Sequence, residues 1–200
     1  ILFASPGRIN LIGEHTDYNG GHVFPCALTI GTYGAVRKRA DRKLRLYSMN
    51  FSGTGIWETS LDELTPCPED RWTNYPKGVL WALQEKGYEV PFGFDLLVYG
   101  NIPNGSGLSS SAACEVLIGT TGNHLFCQDK FDAVEIAKIG QAAENEYFGK
   151  PCGLMDQTAS SVGDAVAIDF KDPANPIVRS INADLTGLGL ALCIIDCGAD

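Results

Sequence analysis

Ile102-Pro103-Asn104-Gly105-Ser106-Gly107-Leu108-Ser109-Ser110-Ser111-Ala112-Ala113 is the segment on which the reading of the fold turns. Ahead of it, Gly93 to Tyr99 is rich in Leu, Val and aromatic residues, as a buried strand is. Behind it, Ser109-Ser110-Ser111 opens a helix that runs toward Phe126, weakened inside by Gly119 and Gly122. Glycines let the backbone turn tightly and approach a ligand, and free N–H groups at a helix start attract anions. Three serine hydroxyls suit phosphate oxygens or a magnesium ion. The segment is not a Walker loop, because no Gly-Lys-Ser/Thr follows. Nor is it a dinucleotide fingerprint, because the third glycine of GxGxxG is missing. On spacing alone two readings stay open, a phosphate cradle and a plain glycine turn capped by serine.

Working outward, Lys43 to Ser48 alternates polar with apolar residues and predicts a half-buried strand. Ala165 to Phe170 and Leu190 to Asp196 read as further strands. Between Thr59 and Asp70 lies a Pro- and acid-rich loop. It leads into a helix from Trp72 or Thr73 to Lys86, stopped by Gly87. Asp132 caps another helix, in which Val134, Ile136, Ala137, Ile139, Ala142 and Ala143 form an apolar face. A shorter helix is expected from Leu154 to Val162, with Gly163 past its end. Strands and helices alternate irregularly, without repeated βαβ spacing, so the expected class is α+β.

Fifteen Lys and Arg against 24 Asp and Glu give a net charge of −9, which argues against a nucleic-acid binder. The bunched Arg37-Lys38-Arg39 and Arg42-Lys43 are interrupted by Asp41 and read as a solvated strand end. No stretch approaches the ~20 apolar residues of a membrane span. A composition 44% hydrophobic and 10% aromatic argues against disorder. Seven cysteines without a CxxC pair, beside three histidines, show no zinc spacing. They read as small buried thiols in a reducing compartment, and a cytoplasmic monomer without nucleic-acid or membrane partners is expected. Ile1-Leu2-Phe3-Ala4 opens mid-strand without a Met, and the chain stops just past the apolar run at Ile194-Ile195. It therefore reads as part of a longer protein with no targeting peptide in view.

Two further segments carry polar density. Gly7-Arg8-Ile9-Asn10-Leu11-Ile12-Gly13-Glu14-His15-Thr16-Asp17-Tyr18-Asn19 sets Arg, Asn, Glu, His and Asp between apolar runs. Alternating donors and acceptors suit a polyhydroxylated sugar, and such a site rejects analogues that leave its groups unpaired. The competing reading is a surface turn with Asn19-Gly20-Gly21 at its tip. It is preferred for Tyr18 and His22, and the site reading for Glu14, His15 and Asp17. In Cys152-Gly153-Leu154-Met155-Asp156-Gln157 the Asp lies in a first helical turn. There the dipole favours a carboxylate able to accept a proton, although ordinary helix electrostatics accounts for it equally. Glu144 is the nearest upstream carboxylate with a metal role open to it; on an exposed helix face it would have none.

Together the three segments resemble the galactokinase family. Gly7 to Asn19 resembles its signature, Cys152 to Gln157 its catalytic segment, and Pro103 to Ala113 the ATP loop of a wider superfamily. That superfamily includes homoserine, mevalonate and phosphomevalonate kinases. The resemblance implies a mixed-sheet, ribosomal-protein-S5-like N-terminal domain that spans residues 1–200 and binds ATP and sugar. Residues after about 190 would lead toward a ferredoxin-like C-terminal domain and a third glycine-rich motif, neither of which lies in this sequence.

By the same resemblance, Asp156 is the catalytic carboxylate at the sugar's anomeric hydroxyl and Arg8 lies beside it. Glu14, His15 and Asp17 hold sugar hydroxyls, and Gly153 contributes backbone. Gly105, Gly107, Ser109 and Ser110 lie along the ATP phosphates, and Ser111 with Glu144 holds Mg2+. Trp72 and Tyr75, in Arg71 to Gly78, flank the adenine. The implied reaction is ATP-dependent phosphorylation of D-galactose to galactose 1-phosphate. Two alternatives are weighed. An N-acetylgalactosamine kinase differs within the first signature, and Thr16 and Asn19 favour galactose. A non-catalytic galactose- and ATP-binding transcriptional sensor loses part of the Ser-Ser-Ala stretch, which is intact here in Ser110-Ser111-Ala112-Ala113.

Overall fold

Fourteen residues, Pro25–Lys38, form the longest strand, and the sheet is assembled around it. The structure is a computed structural model that describes residues 1–103, 105–182, 187 and 189–195. In chain order the strands are β1 (Leu2–Asn10), β2 (His22–Val23), β3 (Pro25–Lys38), β4 (Lys43–Ser48), β5 (Trp57–Ser60), β6 (Phe94–Gly100), β7 (Ala165–Asp169) and β8 (Ile177–Ile181). The helices are α1 (Asn74–Glu85), α2 (Ser110–Phe126), α3 (Ala133–Ala142) and α4 (Met155–Val162). The strand order is β2-β7-β3-β6-β4-β5, with β1 also on β3 and β8 on β7. β4 runs parallel to β6, and the other described pairs are antiparallel. A mixed sheet with helices packed against it is the α+β class expected.

Period-2 patterning decides which sheet face is covered. Phe94, Leu96 and Val98 of β6 are buried, while Leu97 and Tyr99, on the alternate positions, are exposed. α2 packs on β1 and β3, α4 packs on β1, β3 and β7, and α3 lies against α2 and α4. Gly119 and Gly122 do not interrupt α2; they are points of close approach. A Cβ on Gly119 would come within 3.0 Å of Ile136 Cγ2, and one on Gly122 within 2.5 Å of Leu83 Cδ1. The basic strand end is paired, with Arg37 and Arg39 on Asp95, Arg39 on Asp41, Arg42 on Asp62 and Lys43 on Glu58.

Two expectations are revised. The strand expected over Leu190–Asp196 is not formed: residues 190–195 are irregular and exposed, and Asp196 lies outside the described residues. Apolar composition alone makes no strand when no neighbouring strand offers ladder partners. Trp57–Ser60, in part read as loop, pairs with β4 as β5. Among the described residues, no helix is long and apolar enough to cross a membrane.

α3 begins with a full capping box. Glu135 N–H donates to Asp132 Oδ1 at 2.8 Å, and Asp132 N–H donates to Glu135 Oε2 at 3.2 Å. Asp132→Ala is expected to destabilise the protein by about 1 kcal/mol in denaturant unfolding, because it orphans a helix-start donor. No change in the midpoint would mean that packing on α2 and α4 alone sets this helix.

Candidate functional site

The end of β1 is brought against the glycine loop by a register shift between Pro6 and Arg8. Arg8 N–H donates to Leu108 O at 3.1 Å, and a Cβ on Gly7 would come within 2.9 Å of that same carbonyl. Only glycine lets strand and loop lie this close. Arg8 then extends as a fork, with Nε donating to Asp156 Oδ1 at 2.9 Å and Nη2 to Oδ2 at 2.6 Å. Its Nη1 donates to the Gly107 carbonyl at 2.7 Å. Paired N–H···O bonds fix both distance and plane, which a lysine could not do.

Ser109 completes this arrangement. It is the cap residue before α2, in left-handed backbone with φ 60°, and its hydroxyl donates to Asp156 Oδ2. Such a conformation is strained for a residue with a Cβ and marks a position held by its surroundings. Asp156 sits in the first turn of α4, about one third exposed. Strand end, glycine loop and two helix starts therefore converge on one carboxylate. Gly105 and Gly107 have φ near +70°, and nothing lies within 4 Å of where a Cβ would be, so this loop is open to a ligand.

The polar loop after β1 contributes unequally. Asp17 is 7% exposed, and the Met155 N–H donates to its Oδ2 at 3.5 Å. Gly153 lies so close that any Cβ would overlap the Asp17 carboxylate. Asp17 and Gly153 thus meet beside the start of α4. Glu14 and His15 are exposed on the same loop, and His15 Nδ1 lies 2.6 Å from the Tyr18 hydroxyl. Neither is hydrogen-bonded to Arg8 or Asp156 in the structure.

A cleft of about 210 Å³ is lined by Trp72, Tyr75, Ser110, Ser111 and Cys114, together with Asn50 and Phe51. Trp72 belongs to a 3₁₀ turn, Pro68–Thr73, kinked at Arg71, where φ is 48°. Two buried clamps hold that turn. The Asn74 amide spans the Cys67 backbone, donating to its carbonyl at 2.6 Å and accepting from its N–H at 3.2 Å. Lys77 Nζ donates to Asp70 at 2.5 Å and to the Thr65 carbonyl at 2.6 Å. Burial, with Glu144 and Glu115 nearby, pushes the Tyr75 phenol up to about 12. A larger hollow of about 310 Å³ at the β2–β7–β8 edge shares no lining residue with this cleft.

Glu144 is 9% exposed, not on an open helix face. A π turn over Ala143–Tyr147 follows α3 and shifts the side-chain register. Glu144 meets a residue that sequence reasoning missed, Glu115 of α2, which is wholly buried. Burial first, and then Glu144 beside it, push Glu115 up to about 9. Its Oε2 accepts from Gln157 Nε2 at 3.0 Å, while Oε1 has no partner. The available signal was spacing: Glu115 stands four residues after Ser111, on the same face of α2.

The chain is similar to known proteins. Residues 74–164 match the GHMP kinases N terminal domain, and residues 1–38 match the galactokinase galactose-binding signature. Over 161 residues the chain is 58% identical to a galactokinase of Ligilactobacillus salivarius, covering 80% of this chain and 41% of that protein. Over 162 residues it is 56% identical to one of Bacillus subtilis, covering 81% and 41%. The chain belongs to the galactokinase family. A galactokinase of Lactococcus lactis solved in complex with galactose superposes with a TM-score of 0.84 at 44% identity, covering 90% of this chain and 47% of that one. A Methanococcus jannaschii mevalonate kinase, at 19% identity and a TM-score of 0.73 over 94% of this chain and 57% of its own, shares the fold. The chain spans less than half the length of the curated galactokinases it matches. In this galactokinase-family chain, the signature match spans β1 to β3 and the domain match α1 to Asp164.

Gly153→Ala is expected to displace the Asp17 carboxylate and destabilise the protein by about 1–3 kcal/mol, as overpacking does. Thermal unfolding checks this; a wild-type melting curve would show that the Asp17 loop yields freely.

Proposed function

We propose that the whole protein is a galactokinase, transferring the γ-phosphoryl group of ATP to the anomeric hydroxyl of D-galactose. The observation that carries this reading is the Arg8 fork on Asp156, set beside the Asp17–Gly153 contact and facing the open glycine loop. In this reading Asp17, Glu14 and His15 hold sugar hydroxyls, with Gly153 giving the sugar close access to backbone. Asp156 accepts or orients the anomeric proton. Arg8 keeps that carboxylate in plane and stabilises charge that develops on the transferred group. Phosphoryl transfer asks mainly for positioning and charge stabilisation, with a base in reach adding about 10²- to 10⁴-fold.

ATP would lie with its adenine between Trp72 and Tyr75 and its phosphates over Gly105, Gly107, Ser109 and Ser110. Ser111 and Glu144 offer a hydroxyl and a carboxylate, the hard oxygen donors that Mg2+ takes alongside phosphates and water. Among the described residues no three His, Cys, Asp or Glu side chains are grouped to hold a metal. That donor set fits an ion brought largely by its nucleotide. When bound, the ion neutralises phosphate charge.

The direct experiment offers galactose, N-acetylgalactosamine, glucose and mevalonate separately to the full-length protein with ATP and Mg2+. Galactose-dependent ADP release with phosphate on the anomeric carbon is expected; binding without turnover would make the protein a sensor. Asp156→Asn is expected to keep the fold and galactose binding while kcat falls by about 10²-fold or more. A near-wild-type kcat would remove Asp156 from the chemistry. Trp72→Ala is expected to raise KM for ATP with KM for galactose little changed, and the opposite selectivity would misplace the adenine.

A further inference from the structure

Glu115 has no role in the chemistry proposed above, although it is wholly buried and an acid removed from water is costly to hold without partners. Its surroundings are specific. From α2 its Oε2 accepts the Gln157 amide at 3.0 Å, and its carboxyl lies beside that of Glu144. Gln157 directly follows Asp156 in the first turn of α4, and Glu144 is the second residue of the π turn after α3. α3 comes close to this junction at Gly140. A Cβ there would come within 3.2 Å of Glu115 Cβ and 3.1 Å of Gln157 Cγ. Gln157 is 2% exposed with its Oε1 unpartnered, and its Nε2 has only a longer second contact, to Cys152 Sγ at 3.8 Å, so the Glu115 bond is the main one that orients that amide.

We propose that Glu115 is a positioning residue which ties the Glu144 carboxylate to Gln157, and so to the helix start that carries Asp156. It touches neither substrate nor reacting atoms. Instead it sets the separation between the carboxylate offered to the metal and the one offered to the sugar. α2 holds the link rigidly, because Ser111 and Glu115 lie one turn apart on one face. This inference rests on the galactokinase reading and names a part of the site that the reading lacks.

The test compares full-length wild type with Glu115→Gln, Glu115→Leu, Gln157→Leu and the Leu/Leu double variant. Mg2+ binding in the presence of a non-hydrolysable ATP analogue, without sugar, is measured by calorimetry beside kcat and both KM values. Glu115→Gln keeps a donor and an acceptor in the same shape and is expected to stay within about threefold of wild type in each quantity. Glu115→Leu is expected to weaken Mg2+ binding and lower kcat by about 10- to 100-fold, the range seen when groups behind metal ligands are lost. KM for galactose should hold. Gln157→Leu is expected to lower kcat about tenfold, and the double variant should be no worse than Glu115→Leu, since both cut one chain.

Wild-type Mg2+ affinity in Glu115→Leu overturns the proposal, as does a loss in Glu115→Gln equal to that in Glu115→Leu. Should Glu115→Leu fail to fold, Gln157→Leu decides, and an unchanged kcat there overturns it. A wild type that releases no ADP with galactose would sink the proposed reaction, yet the Mg2+ binding comparison would still judge Glu115.

Discussion

The Arg8 fork on Asp156 is the constraint from which the rest of the site follows. Three elements far apart in the sequence meet through it: the end of β1, the loop before α2 and the start of α4. Two of its donors take the carboxylate and the third takes the Gly107 carbonyl, so a guanidinium plane sets where the loop lies relative to the acid. A single-point cation would leave that angle free. The bond pattern also explains why Ser109 is forced into left-handed backbone: its hydroxyl must reach the same carboxylate while α2 begins immediately after it.

Close approach is the second constraint, and it is met by missing side chains. β3 accepts β1 at Gly31, where any Cβ would overlap the Ser5 carbonyl, and α2 rests on β3 at Gly34, where a Cβ would come within 3.0 Å of Leu117 Cδ2. Gly7 does the same for the loop, and Gly153 for Asp17. Each contact removes a volume that ordinary packing would fill, and each lies on the path from the sheet to the site.

These glycines mark what was and was not legible beforehand. The caps were readable, because Asp132, Gly87 and Gly163 act through neighbours in sequence; so was β4, whose alternation is local. β3 carries a weak strand signal, because Gly31 and Gly34 lower strand propensity and their reason lies across the sheet in β1 and α2. The register shift in β1 and the π turn after α3 leave no local signature, yet one aims Arg8 and the other buries Glu144. Glu115 was overlooked because a lone acid on an otherwise apolar helix face has no meaning until Glu144 and Gln157 arrive from other elements. The apolar run at 190–195 shows the converse, since composition suggested a strand and no ladder partner exists for it among the described residues. Of the expected site, Arg8 and Ser109 are joined to Asp156 by hydrogen bonds, Asp17 meets Gly153, and Trp72, Tyr75, Ser110 and Ser111 line one cleft.

A protein with a net charge of −9 that is proposed to bind a polyphosphate must manage repulsion locally. Two helix starts face the site, and the fold uses them differently. The start of α4 is occupied by Asp156, whose charge is further met by Arg8 and the Ser109 hydroxyl. The start of α2 carries no acidic side chain in its first turn; Ser110 and Ser111 stand there, beneath a loop of two left-handed glycines. Its free N–H groups are therefore left for an incoming anion. The nearby acids lie below the surface, Glu115 wholly and Glu144 almost wholly covered. In the proposed reading one dipole steadies the acid and the other is kept for the phosphates, a separation that would let an acidic chain present an anion site within reach of a carboxylate.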